Sequence, residues 1–207
     1  GVAQKGCIWL KLSVSGKTSH GAEPWQGINA LEQGFGLLAD LREELMREEH
    51  PVLGRSTLQV TMAEGGIAPN MTPDRAQFLA DIRIVPPLNE KEVLNRLECL
   101  IEKRCEVYNG GLSFTPEISN YRMPVETGPK NQWLHRLKGF IGDNAGETGI
   151  NYFTDASIFL TAWPDSPALL FGPGEPQMCH KPNEYVEISK YFEAIRVMEK
   201  FCWYIAK

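Results

Sequence analysis

The sequence predicts an α+β fold whose first part, residues 7–118, is a ferredoxin-like split βαβ sandwich. Three observations predict it. Segments rich in β-formers alternate polar and apolar residues. Two intervening segments carry apolar residues at three-four spacing. The resulting order, strand-helix-strand-strand-helix-strand, is that of the split βαβ unit.

Each element has its own signal. "CIWLKLSVSG" alternates and reads as the first strand. In "GINALEQGFGLLADLREELMREE", Leu31, Phe35, Leu38, Leu41 and Leu45 mark an amphipathic helix. Gly34 and Gly36 weaken that helix locally and permit close packing against a sheet. "STLQVTMAEGG" is a strand, "APNMTPDR" a loop, and "AQFLADIRIV" a strand closed by Pro86-Pro87. Asn89 with Glu92 forms a capping-box pattern, and Val93, Leu97, Leu100 and Ile101 stripe the second helix. "GLSFTPEIS" is the fourth strand.

Residues 119–207 form a second part. "YRMPVETGP" is a linker, and Pro129 is expected to start a helix carrying Leu134, Leu137 and Ile141. "GINYFTDASIF" and "PALLFGPG" are short strand-like runs. The terminal helix is expected to present Ile188, Phe192, Ile195, Met198, Cys202 and Ile205 on one face. This part has too few strands for a complete α/β domain.

Composition narrows the function classes. A net charge of −5, with no Lys/Arg cluster, argues against nucleic acid or an anionic membrane as partner. The longest apolar runs are far too short to span a bilayer. No secretion signal is visible, and "NMT" at 70–72 is a chance match to a glycosylation acceptor. Five scattered cysteines without C-x-x-C spacing predict reduced thiols and a cytoplasmic location. Cys99 and Cys105, six apart on a helix, cannot meet.

Several motifs invite chemistry. "SGKTS" at 15–19 is not a phosphate loop, because Lys11 stands where that motif needs a glycine. His20 follows a strand; its imidazole is either a locally bonded loop residue or a proton donor and oxyanion stabiliser. Asn70 suits a turn. Arg83 either pairs with Asp81 or faces a cleft where its fork grips a carboxylate. "FTDAS" at 153–157 either lines a site or caps a helix beginning near Ala156. His180, after the Gly-Pro-Gly corner at 172–174, is the best metal-ligand candidate. His50 and His135 fall in helical contexts and are expected at the surface. Residue chemistry alone completes no metal site, since no second His/Asp/Glu cluster accompanies His180.

"WLKLSVSGKTSHGAEPWQGINALE", "GGIAPNMTPDR", "ADIRIVPP", "TDAS" and "FGPGEPQMCHKPNEYVEI" occur in that order. Together they resemble the second half of the zinc-dependent deacylase and exopeptidase family. That family includes acetylornithine deacetylase, succinyl-diaminopimelate desuccinylase and the glutamate carboxypeptidases. The resemblance implies a lid or dimerisation domain at 7–118 and the C-terminal part of a catalytic domain at 119–207. It implies a homodimer through the lid, two zinc ions (cobalt or manganese as substitutes) and a substrate that is an N-acyl amino acid or small peptide. It also implies site roles. His180 would be a zinc ligand. His20 would stabilise the oxyanion, usually in the partner's site. Asn70, Arg83, Thr154 and Gly172 would contact substrate, Arg83 by gripping the substrate's free carboxylate. Glu184 would support the ligand loop. Phe153 departs from the family, which has glycine before the Thr-Asp pair.

The family's remaining ligands and general base precede its lid. This chain has no H-x-D motif and no Glu-Glu pair after a strand; "REEL" and "REEH" read as solvated charge on a helix. The expectation is therefore a fragment of a metal-dependent amidohydrolase, inactive alone. The competing expectation is a non-catalytic dimerisation or binding module.

Overall fold

The computed structural model describes residues 1–142, 145–175, 178–179 and 181–206. The chain opens with β1 (Ala3–Gln4), and Lys5 alone separates it from β2 (Gly6–Ser15). Next come α1 (Ala30–Leu45) and two short strands, β3 (Glu49–His50) and β4 (Gly54–Arg55). Then follow β5 (Thr57–Gly65), β6 (Arg75–Ile84), α2 (Glu90–Val107) and β7 (Ser113–Arg122). The remainder holds β8 (Val125–Glu126), α3 (Gln132–Ile141), β9 (Gly149–Ile150), α4 (Ala156–Ala162) and α5 (Ile188–Ile205).

The long strands form one antiparallel sheet in the order β5-β6-β2-β7. With α1 inserted before β5 and α2 before β7, this is the ferredoxin-like arrangement the sequence predicts. Alternation decides which face is covered. Ile8, Leu10, Leu12 and Val14 of β2 lie beneath the helices beside Phe78, Ala80 and Ile82 of β6. Leu37, Leu38, Leu41 and Leu45 of α1 and Val93 and Leu97 of α2 close this core. The opposite face, with Trp9, Lys11, Ser13 and Gln77, is exposed. Asn29 caps α1 by accepting from Leu31 N and Glu32 N. The Asn89–Glu92 capping box is complete. Gly34 is required where α1 crosses β6: a Cβ there would stand 2.1 Å from the Phe78 ring. Gly36 instead faces Arg104 of α2.

Beyond this sheet, β1 pairs antiparallel with β8 and parallel with β9. Helices α3 and α5 pack together through edge-to-face contacts of Trp133 and Phe140 with Phe201 and Tyr204.

The structure corrects several expectations. Helix α5 buries Ala194 and Val197, while Ile188 and Phe192 are 75% and 57% exposed. The helix has apolar residues on two faces, and α3 covers the one that carries Ala194, Val197 and Phe201. Pro129 does not start α3; Asn131 caps it by accepting from Trp133 N and Leu134 N. His50 is buried on β3, where Nδ1 accepts from Val52 N and Leu53 N and Nε2 meets Glu126 at 3.2 Å. His135 is exposed on α3, as expected. Helix α1 ends at Leu45, so Glu49 belongs to β3 rather than to a helix. The "PALLF" run forms no strand; Leu170 N donates to Gly1 O, and Ala168 N to the Thr127 hydroxyl. "TDASIF" belongs to α4 and its approach. Among the described residues, no helix is long and apolar enough to cross a membrane.

Candidate active-site residues

Two loops at one end of the four-stranded sheet bring His20 and Asn70 together. The chain leaving β2 pairs with the chain entering β6: Gly16 N donates to Asp74 O, and Thr72 N to Ser19 O. His20 and Met71 form an isolated antiparallel bridge. Gly21 N donates to Asn70 O at 2.7 Å, so His20 and Asn70 are neighbours through the backbone. The Ser19 and Thr72 hydroxyls, 2.7 Å apart, tie the loops a second time. Gly16 admits this path, because a Cβ there would lie 2.2 Å from Ile28 O. His20 is exposed, and Ala22 N–H donates to its Nδ1 at 3.1 Å. That bond assigns the proton of the neutral ring to Nε2, leaving Nε2–H as a donor toward solvent.

Arg83 lies at the other end of the sheet. Arg75 pairs with Ser15 and Arg83 with Cys7, so eight residues of β6 separate the two ends. At the usual strand rise this is about 26 Å. Asp81 takes both arms of the Arg83 fork, at 2.6 Å from Nε and 3.0 Å from Nη2. This bonding holds the Arg83 guanidinium above its ordinary pKa. Trp9 Nε1 also donates to Asp81, at 3.2 Å.

Thr154 is close to Arg83, because the preceding residue, Phe153, lies against the Arg83 guanidinium. The Thr154 hydroxyl donates to Gln4 Oε1 at 2.6 Å and accepts from Ala156 N at 3.3 Å. It caps α4; Asp155 makes no side-chain cap. Fully buried Gln4 also accepts from Thr154 N, and its Nε2 has no partner among the described residues. Gly172 is exposed and lines an apolar groove with Pro173, Tyr191, Ile195 and Met198.

His180, the expected metal ligand, lies outside the described residues. Among the described residues, no group of three or more His, Cys, Asp or Glu side chains is arranged to hold a metal ion. The residues described do not by themselves compose a metal site. All five cysteines are free thiols.

Sequence reading missed Arg122, and it noted Phe153 only as a departure from the family's glycine. Arg122 pairs with Cys7 from the β7 side, so it flanks Cys7 as Arg83 does from β6. Both guanidiniums stand 5.8 Å from the Phe153 ring centroid. Strand register alone reveals this, since Arg122 has no motif around it.

The four-stranded sheet thus ends beside the turn that bears Thr154. Residues 2–109 match the family model M20_dimer, described as the peptidase dimerisation domain, and the chain belongs to this M20 peptidase family. It is 27% identical to acetylornithine deacetylase of Shigella sonnei, over 98% of this chain and 54% of that protein. The fold is shared with aminopeptidase PepT of Bacillus cereus, at a TM-score of 0.74 and 18% identity, over 100% of this chain and 53% of that one. It is also shared with an M20 family metallo-carboxypeptidase of Sulfolobus solfataricus, at a TM-score of 0.64 and 16% identity, over 97% and 58%. The chain thus spans about half the length of the relatives it matches.

Proposed function

We propose that this chain is the lid and C-terminal catalytic segment of a metal-dependent amidohydrolase acting on N-acyl amino acids or small peptides. One observation carries the reading: His20 and Arg83, both expected to meet the same substrate, sit at opposite ends of one sheet. The strand between Arg75 and Arg83 alone spans about 26 Å, and His20 bridges Met71, before Arg75, so a single copy cannot bring both to one ligand. A second copy can, which fits a family defined by a dimerisation domain. In this reading His20 reaches across to the partner's substrate. Its Nε2–H, oriented by the Ala22 bond, donates to the oxyanion that forms as the amide carbonyl becomes tetrahedral. Asn70 travels with it. Arg83 and the Thr154 turn belong to the subunit that holds the substrate.

The lids pair through β5. It is an edge strand of nine residues, its second half exposed and free of proline, whereas the other edge, β7, contains Pro116. A divalent metal is the activating group expected in the whole enzyme, zinc first, with cobalt or manganese as substitutes. His180 is the residue of this chain proposed to hold it.

The test uses the full-length protein, chelated and then reloaded with zinc, cobalt or manganese, with amine release from N-acetyl amino acids as readout. Activity is expected to vanish on chelation and return on reloading. His20→Ala is expected to lower kcat by about 10²- to 10³-fold with a smaller effect on KM. Absence of amide hydrolysis, or hydrolysis indifferent to chelation, overturns the reading.

The second reading is a non-catalytic dimerisation or binding module. It is favoured by the extent of the family match, which ends at residue 109. Arg83→Gln discriminates: a pure dimerisation module keeps its affinity for small carboxylates unchanged.

A further inference from the structure

We infer that Arg122 and Phe153 form, beside Arg83, a subsite for a second anionic group, so that the preferred substrates carry two carboxylates rather than one. The inference rests on the amidohydrolase reading above and sharpens it to a substrate class.

Strand register supplies the geometry. Cys7 pairs with Arg83 on one side and Arg122 on the other, so both cations stand at the sheet end nearest the Thr154 turn. Each guanidinium lies 5.8 Å from the Phe153 centroid, which limits their separation to about 12 Å. That limit admits a small dicarboxylate with one carboxylate at each cation.

The two charges differ in their surroundings. Asp81 occupies the Arg83 fork. Arg122 pairs with no carboxylate among the described residues: Nη1 donates to Tyr121 O at 2.7 Å, and Nε is buried without a partner. The Cys7 thiol between them supplies no negative charge, because burial raises its pKa. Half-burying a guanidinium without a counter-charge is costly. An anionic ligand offsets that cost, and a planar fork suits a carboxylate. Contact with the Phe153 ring steadies the cation without using its N–H donors. Glycine at 153 would remove that platform.

The second carboxylate comes either from the acyl group or from the amino-acid side chain, and the experiment separates these sources. Full-length wild type, Arg122→Gln and Arg122→Lys are assayed with N-acetylalanine, N-succinylalanine and N-acetylglutamate. The wild type is expected to prefer at least one dianionic substrate, and which one identifies the source. In Arg122→Gln the ratio of kcat/KM for that substrate to that for N-acetylalanine falls about 30-fold, the scale of one charged hydrogen bond. Arg122→Lys restores part of the ratio, since it returns the charge without the fork. Equal losses on all three substrates, or no dianionic preference in the wild type, overturn the inference. If the full-length protein hydrolyses no amide, the amidohydrolase reading has failed, and calorimetric titration with succinate and with acetate decides the subsite alone. Tighter succinate binding that Arg122→Gln abolishes upholds it; equal affinities overturn it.

Discussion

Gly34 shows how tightly single residues constrain this dimerisation domain. The Phe78 ring fills the space a side chain would need, and Phe35 meets the same ring edge to face at 5.0 Å. Gly34→Val is expected to destabilise the fold by about 1–3 kcal/mol through overpacking, read from urea unfolding. An unchanged midpoint would mean that α1 can lift from the sheet at no cost. The sequence made the type of such residues legible but not their direction. Arg83 illustrates this. Its two sequence readings were pairing with Asp81 and facing a cleft, and the structure has it bonded to Asp81 while lying beside the Thr154 turn. His50 failed for a related reason: a charged neighbourhood looked like surface, but β3 turns the ring inward onto two backbone N–H groups.

Elements were most legible where a local rule closes on itself. The Asn89–Glu92 capping box needs only four residues, and it forms as the sequence predicts. Helix α5 was misread because both of its faces are apolar, and periodicity cannot say which one a neighbour will cover. The partner helix α3 decides it through Trp133 and Phe140. Between α1 and α2, Arg96 grips Glu48 in a bidentate pair and also donates to Glu44 O at 3.0 Å. The Arg96 bond lowers the Glu48 pKa. A depressed carboxylate stabilises the fold above its ordinary range, and that contribution is lost as pH falls through the lowered value. Glu48→Gln is therefore expected to reduce stability at neutral pH and to flatten its decline on acidification, followed by urea midpoints between pH 7 and pH 3. A variant with the wild-type slope would show that the pair is fully screened.

At the scale of the whole molecule, the dimerisation domain's class followed from the order of its elements, while the sheet order β5-β6-β2-β7 required the three-dimensional pairings. The second part resisted sequence reading because its strands are only two residues long and pair with residues far away in the chain. The apolar groove beside Gly172 and the bare face of α5 belong to this same part.

The distance between the His20 loop and Arg83 has a stoichiometric consequence. If each catalytic centre borrows its histidine from a sister subunit, the two defects can be traded between chains. His20→Ala and Arg83→Gln proteins, each inert, would be unfolded together and renatured as an equal mixture. Half of the dimers would then be hybrids, each with one centre fully rebuilt, giving about a quarter of the wild-type rate. A mixture as silent as its parents would mean that every polypeptide keeps both residues for itself.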